Sequence, residues 1–284
     1  MKSDCHIHMV LDGAYWKSAM QRHEPVPHDE FIHQILQTYQ NLGYTYLRDG
    51  GDRWDASLRA RELAGQYGIT YCTPLSPLSK RGHYGSFIGE TFENMCEYAA
   101  LVDKMEKKGC DFIKIMISGL MDFDHFSLLT EEGLPAHEIR EMIHIAHDHG
   151  FAVMAHANGA RTIEAAAVAG VDSVEHGAYQ DVYSLAAMAG SGTVWVPTLS
   201  TIGNLQDKGR FSEADVRAIL ECAHKNCAAF AAMGGSLALG SDAGAWAVPH
   251  GCESEEHWLR QALGENADAI IAAGNQKIRD TFHR

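Results

Sequence analysis

Short apolar runs rich in β-branched residues recur along the chain, and amphipathic stretches separate them. The runs at 3–9, 44–49, 69–75, 111–119, 151–157, 172–176, 193–199 and 236–241 read as strands. Helices are predicted at 29–42, 54–67, 90–108 and 135–149, then from just after the fifth strand to 169, and at 181–189, 253–263 and 267–282. A further helix starts at Ser212, a capping residue with Asp215 at its third position. Gly43, Gly109, Gly150 and Gly170 each stand where a helix should stop.

Strand and helix alternate throughout, which implies a parallel sheet. Eight such units of about 30–35 residues each are the size of a (β/α)8 barrel. The expected fold class is therefore α/β, a single TIM barrel spanning 1–284 as one domain. A doubly wound open sheet is the alternative, but no GxGxxG or P-loop pattern follows any predicted strand.

One strand carries a residue that does not belong in an apolar run. Phe112, Lys114 and Met116 share one face, with Ile113, Ile115 and Ile117 on the other, so Lys114 points to the inside of the sheet. A buried ammonium must lose its proton, pair with a carboxylate or be chemically converted. Conversion has a simple route. A neutral amine reacts with CO2, and the carbamate is an anion whose two oxygens can bridge two cations.

Other donors occupy equivalent places. In His6-Ile7-His8, two residues apart on a strand, both imidazoles face the same way. His156, His176 and Asp242 fall at the C-terminal ends of the fifth, sixth and eighth strands, the end at which a barrel houses its chemistry. Any one of these could be an ordinary hydrogen-bonded side chain. Six of them directed at one volume define a metal site for two divalent ions. Nitrogen and oxygen donors without cysteine suit zinc first, and manganese, iron, nickel or cobalt next.

Composition narrows the partners. A net charge of −14 gives no basic footprint for nucleic acid and would be repelled by an acidic membrane, so small molecules are the expected substrates. Seven cysteines without paired CxxC spacing form neither a disulfide framework nor a zinc ribbon, which fits a reducing cytoplasm. The N-terminus has no apolar signal core, and no run approaches the roughly 20 residues of a membrane span.

With these residues in view, the chain resembles the amidohydrolase superfamily, in its prolidase-like and imidazolonepropionase-like branch. The matching segments are Asp4 to His8, Phe112 to Met116, Ala155-His156-Ala157 with Gly159-Ala160, Val174 to Gly177, and Gly240 to Gly244. The resemblance implies that His6, His8 and Asp242 bind the more buried metal, that His156 and His176 bind the second, and that carboxylated Lys114 bridges them. Relatives often carry a histidine where this chain has Asn158. They also commonly add a β-sandwich built from segments outside the barrel, which is not expected for this sequence.

The expected activity is hydrolysis of an amide-type C–N bond, in a dipeptide, an N-acyl amino acid or a cyclic amide, by a metal-bridging hydroxide. Asp242 would accept the proton of that water and pass it to the leaving nitrogen. A mononuclear deaminase of the same superfamily and a non-catalytic metal-binding barrel are the alternatives. Loop residues His83, Tyr84, Asp124, His125, Asn158, Arg210 and His250 are the candidate substrate contacts. His250 leads them, because Pro249-His250-Gly251 also looks family-like.

Overall fold

A computed structural model describes residues 1–282. Its strands are β1 (Lys2–Ile7), β2 (Tyr44–Asp49), β3 (Thr70–Cys72), β4 (Leu78–Lys80), β5 (Glu90–Phe92), β6 (Ile113–Met116), β7 (Val153–Ala157), β8 (Ser173–His176), β9 (Val194–Val196) and β10 (Ser236–Leu237). All pair in parallel, in one sheet of order β1-β2-β3 and another of order β10-β9-β8-β7-β6-β4-β5. The architecture is mixed α/β, with helices in the connections between strands.

Backbone hydrogen bonds join the two sheets at both edges. Cys5 N donates to Leu239 O at 2.8 Å, Asp242 N to His6 O at 2.7 Å and His8 N to Ala243 O at 2.8 Å, so the segment after β10 runs alongside β1. On the other edge, Asp111 N donates to Thr73 O at 3.0 Å. Between the strands lies one apolar cluster of Cys5, Tyr46, Cys72, Phe112, Met154, Val194, Val196 and Ala238, closed by Ile278 and Phe282 of the last helix (Ala267–Thr281 and its C-cap). The opposite faces of the strands, among them Ile113, Ile115 and Ile117 of β6 and its continuation, pack against the helices in a second, larger cluster. Phe112 and Ile113 therefore point to opposite sides, as period-two alternation requires.

The predicted strand segments all contain observed strands, mostly shorter than expected. Four differences concern the loops and helix ends. The stretch after β3, expected to be loop, holds β4 and β5, and Glu90–Phe92 is strand rather than the first turn of a helix. That helix starts later, at Met95, where the Asn94 side chain accepts from Glu97 N. Trp16–Gln21 and Ser200–Gly203 are short helices inside expected loops. The helix after β2 begins at Ala56, because the Asp52 carboxylate accepts from the backbone N–H groups of Trp54, Ala56 and Ser57 and holds the preceding turn. Among the described residues, no helix is long and apolar enough to cross a membrane.

Candidate metal centre

β1 carries His6 at its end and His8 just beyond, with Ile7 turned outward into a separate apolar cluster. The two Nε2 atoms are 3.3 Å apart, and Asp242 Oδ1 lies 3.5 Å from that of His6 and 3.3 Å from that of His8. Asp242 reaches this position because its backbone is left-handed (φ 57°). Gly240 lets the two strands close up, since a Cβ there would sit 2.8 Å from His6 Cβ. Asp242 Oδ1 is buried and has no partner with hydrogen-bond geometry. Two imidazoles and an orphaned carboxylate oxygen converging in this way fit a divalent cation, which would satisfy all three.

His156 and His176 complete the cluster, with ring centroids 4.6 Å apart and His176 5.2 Å from His6. His176 is also left-handed (φ 67°), and its Nδ1 is 2.7 Å from Thr198 Oγ1, which fixes the ring. His156 Nε2 lies 3.2 Å from the Gly119 carbonyl. Burial, reinforced by Lys114, lowers the pKa of His6 to about 4 and that of His156 to about 3. Burial and the neighbouring histidines hold His176 well below its usual value too. These imidazoles are neutral near pH 7, the state in which they ligate. At Asp242 burial pushes the pKa up, but His6, His8 and Lys114 outweigh it and keep the carboxylate ionised.

Lys114 is 1% exposed, and burial is the main cause that lowers its pKa to about 8. Among the described residues it forms no ion pair; Glu175 and Asp242 act on it only at a distance. The pairing with a neighbouring carboxylate that could have explained a buried lysine is thus not present in this structure.

Two charged residues beneath the site carried no role in the sequence reading. Glu175 Oε2 is 2.7 Å from His6 Nδ1, and its Oε1 accepts from Arg48 Nη2 at 2.9 Å and from Ser173 Oγ at 2.6 Å. Arg48 also donates to Cys5 O and Ser173 Oγ, and stacks 4.4 Å from the Phe282 ring centroid. Burial works against the Glu175 charge, but Arg48 and His6 hold its pKa at about 2. A carboxylate on the far nitrogen fixes the orientation of His6 and leaves Nε2 to face the site. The available signal was the one that exposed Lys114: a charge inside an apolar strand.

A second polar chain supports Asp242 from behind. Asp4 accepts from Ser241 N at 2.8 Å and Ser241 Oγ at 2.6 Å. Ser200 Oγ sits 2.8 Å from Ser241 O and 2.7 Å from Glu255 Oε2, and Ser200 N donates to the same Glu255 oxygen. Burial raises the pKa of Glu255 to about 8, against the opposing pull of Ser200.

The loop candidates are distributed unevenly. The Tyr84 ring lies 4.7 Å from that of His156, at the site, while His83 is 3.7 Å from Glu131. Asn158 is fully buried, with its amide donating to Gly119 O and its Oδ1 accepting from Ala178 N. His125 is exposed and contacts Asp122. Arg210 lies 4.5 Å over Trp246. Both nitrogens of His250 are engaged, by Leu11 O at 3.0 Å and Tyr39 Oη at 3.4 Å. A narrow crevice with room for about one water molecule adjoins His176.

The fold is shared with solved structures of a Xaa-Pro dipeptidase, an ochratoxinase and an amidohydrolase. A Xaa-Pro dipeptidase with methionine bound in its active site superposes with a TM-score of 0.79 at 21% identity, over 98% of this chain and 74% of that one. Ochratoxinase from A. niger gives 0.77 at 20% identity over 97% and 70%, and an amidohydrolase gives 0.77 at 22% over 98% and 74%. Compared by sequence, the chain matches no family profile and no curated protein.

Proposed function

We propose that the chain is a binuclear metal-dependent amidohydrolase built on a (β/α)8 barrel. In this reading β1, β2, β3 and β6 to β10 form the barrel, and β4 and β5 form an extension beside β6; the hydrogen bonds at both sheet edges support it. The observation that carries the functional reading is the convergence of His6, His8 and Asp242 around an unpartnered carboxylate oxygen, with His156, His176 and an unpaired Lys114 beside them.

His6, His8 and Asp242 would hold one ion and His156 and His176 the other, with Lys114 bridging as a carbamate. For His156 this requires Nε2 to exchange the Gly119 carbonyl for the ion, or Nδ1 to serve instead. Divalent ions held there supply Lewis acidity toward water and toward an amide carbonyl. Glu175 keeps His6 in the tautomer with its proton on Nδ1. Asp242, ionised at neutral pH, accepts a proton from the attacking water and delivers it to the leaving nitrogen. Tyr84 forms one wall of the space above His156. Small amides are the substrates: dipeptides, N-acyl amino acids or cyclic amides, the class to which a Xaa-Pro dipeptide also belongs.

The deciding experiment is a hydrolysis screen over those three classes on protein whose metal content has been measured. Two ions per chain with amide cleavage is the expected result. One ion with release of ammonia would replace this reading by a deaminase, and two ions without turnover of any compound by a metal-binding barrel.

A further inference from the structure

The Asn158 side chain is fully buried immediately after β7, between the segments that follow β6 and β8. We propose that it is a positioning residue for His156: through the Gly119 carbonyl it keeps the ring proton of His156 on Nε2, so that Nδ1 is the atom offered to an ion. The proposal rests on the binuclear reading and assigns the histidine atom which that reading leaves open.

The assignment follows from which groups can donate. Ala178 N can only donate, and it lies 2.9 Å from the Asn158 amide, so the atom that meets it is Oδ1. The amide nitrogen therefore faces the other way, 3.0 Å from Gly119 O and 3.4 Å from His156 Nε2. Gly119 O can only accept. With His156 Nε2 at 3.2 Å, a bare nitrogen lone pair would face the lone pairs of the carbonyl, so Nε2 carries the proton. Nδ1 then holds the lone pair of the neutral ring, and it has no hydrogen-bond partner among the described residues.

The carbonyl is held from several sides. Ser118 Oγ accepts from Asn158 N at 2.8 Å and donates to Gly119 O at 3.1 Å. Residue 119 also has to lack a side chain, because a Cβ there would lie 2.5 Å from Glu131 Cγ and 2.6 Å from Glu131 N. Asn158 places the partner histidine as well. Ala178, bound to its Oδ1, lies just beyond His176, and Gly159 N donates to Ala178 O at 2.8 Å. One amide thus ties together the exits of β6, β7 and β8, and with them the His156 and His176 rings, whose centroids are 4.6 Å apart. His6 is oriented separately, by Glu175. Loss of Asn158 should therefore weaken one ion position and spare the other.

The test uses the full-length protein and two readouts. The first is NMR of the imidazole nitrogens in metal-free, nitrogen-labelled wild type near neutral pH, with His156 assigned by comparison with His156→Gln; the proton should be on Nε2. The second is a chelator competition with zinc. Asn158→Ala should weaken the second ion by about 10–100-fold and leave the first close to its wild-type affinity. Ser118→Ala, which keeps the amide and removes another donor to the carbonyl, should act in the same direction by a smaller factor. A proton on Nδ1 in wild type, with Asn158 donating to Nε2, would overturn the proposal, and this result needs no variant of Asn158 to fold. Equal weakening of both ions in Asn158→Ala, or of neither, would overturn it too. A single ion per wild-type chain with the proton on Nε2 would remove the binuclear reading and leave the hold of Asn158 on His156 standing.

Discussion

Glu255 offers a stability measurement whose sign and size follow from four atoms. Ser200 Oγ has one proton and lies between two acceptors, Ser241 O and Glu255 Oε2. Both contacts are satisfied only if Glu255 contributes a proton of its own. Burial acts in the same direction, raising the Glu255 pKa to about 8, whereas an unfolded glutamate titrates near 4.3. The folded protein therefore binds this proton more tightly than the unfolded chain. The resulting stability is complete below about pH 4.3, declines by about 1.4 kcal/mol per pH unit, and is gone above about pH 8. Its ceiling is about 5 kcal/mol, comparable with the entire stability of many domains. Glu255→Gln cannot ionise and so lacks this slope. Chemical denaturation of both proteins at matched metal loading and at several pH values between 5 and 8 should show wild type losing ground to the variant as pH rises. A wild-type-minus-variant difference independent of pH would mean that Glu255 is already charged in the folded state, and the hydrogen-bond assignment would be wrong.

Other substitutions address the centre itself. Lys114→Ala should abolish amide hydrolysis and be partly rescued by short carboxylic acids, which replace the bridging anion; full activity without rescue would exclude a bridging lysine. Glu175→Gln should weaken metal binding by about 10–100-fold in a chelator competition, because His6 loses the charge behind it. Arg48→Met leaves Glu175 buried without its cation and should cost about 3–5 kcal/mol in denaturant unfolding. Gly50→Ala builds a Cβ 2.3 Å from His8 Cε1, so metal content should fall below the wild-type level even in protein that remains folded.

Strand positions were legible because each buried parallel strand is a local apolar run, and Lys114, His6 and His8 were legible because period two assigns them a face without knowledge of the neighbours. β4 and β5 were not, since three residues each carry no periodicity and Leu78 becomes strand by pairing with Glu90 and with Ile115, both well along the chain. His250 shows the same limit for side chains. Pro-His-Gly locates it in a loop, but the Leu11 carbonyl and the Tyr39 hydroxyl that take up its two nitrogens belong to distant segments. Arg48 and Glu175 lie between these cases: each is a visible charge in an apolar strand, while their mutual pairing through the sheet is a tertiary fact.

The hydrogen bond from Cys5 to Leu239, with Asp4 holding Ser241, also sets a timetable for the growing chain. At about 5–20 residues per second, β1 leaves the ribosome roughly 10–50 s before its partner on that side exists. Through that interval its edge is unpaired and His6 and His8 lack Asp242. The convergence of His6, His8 and Asp242 can therefore assemble only after the last strand has emerged.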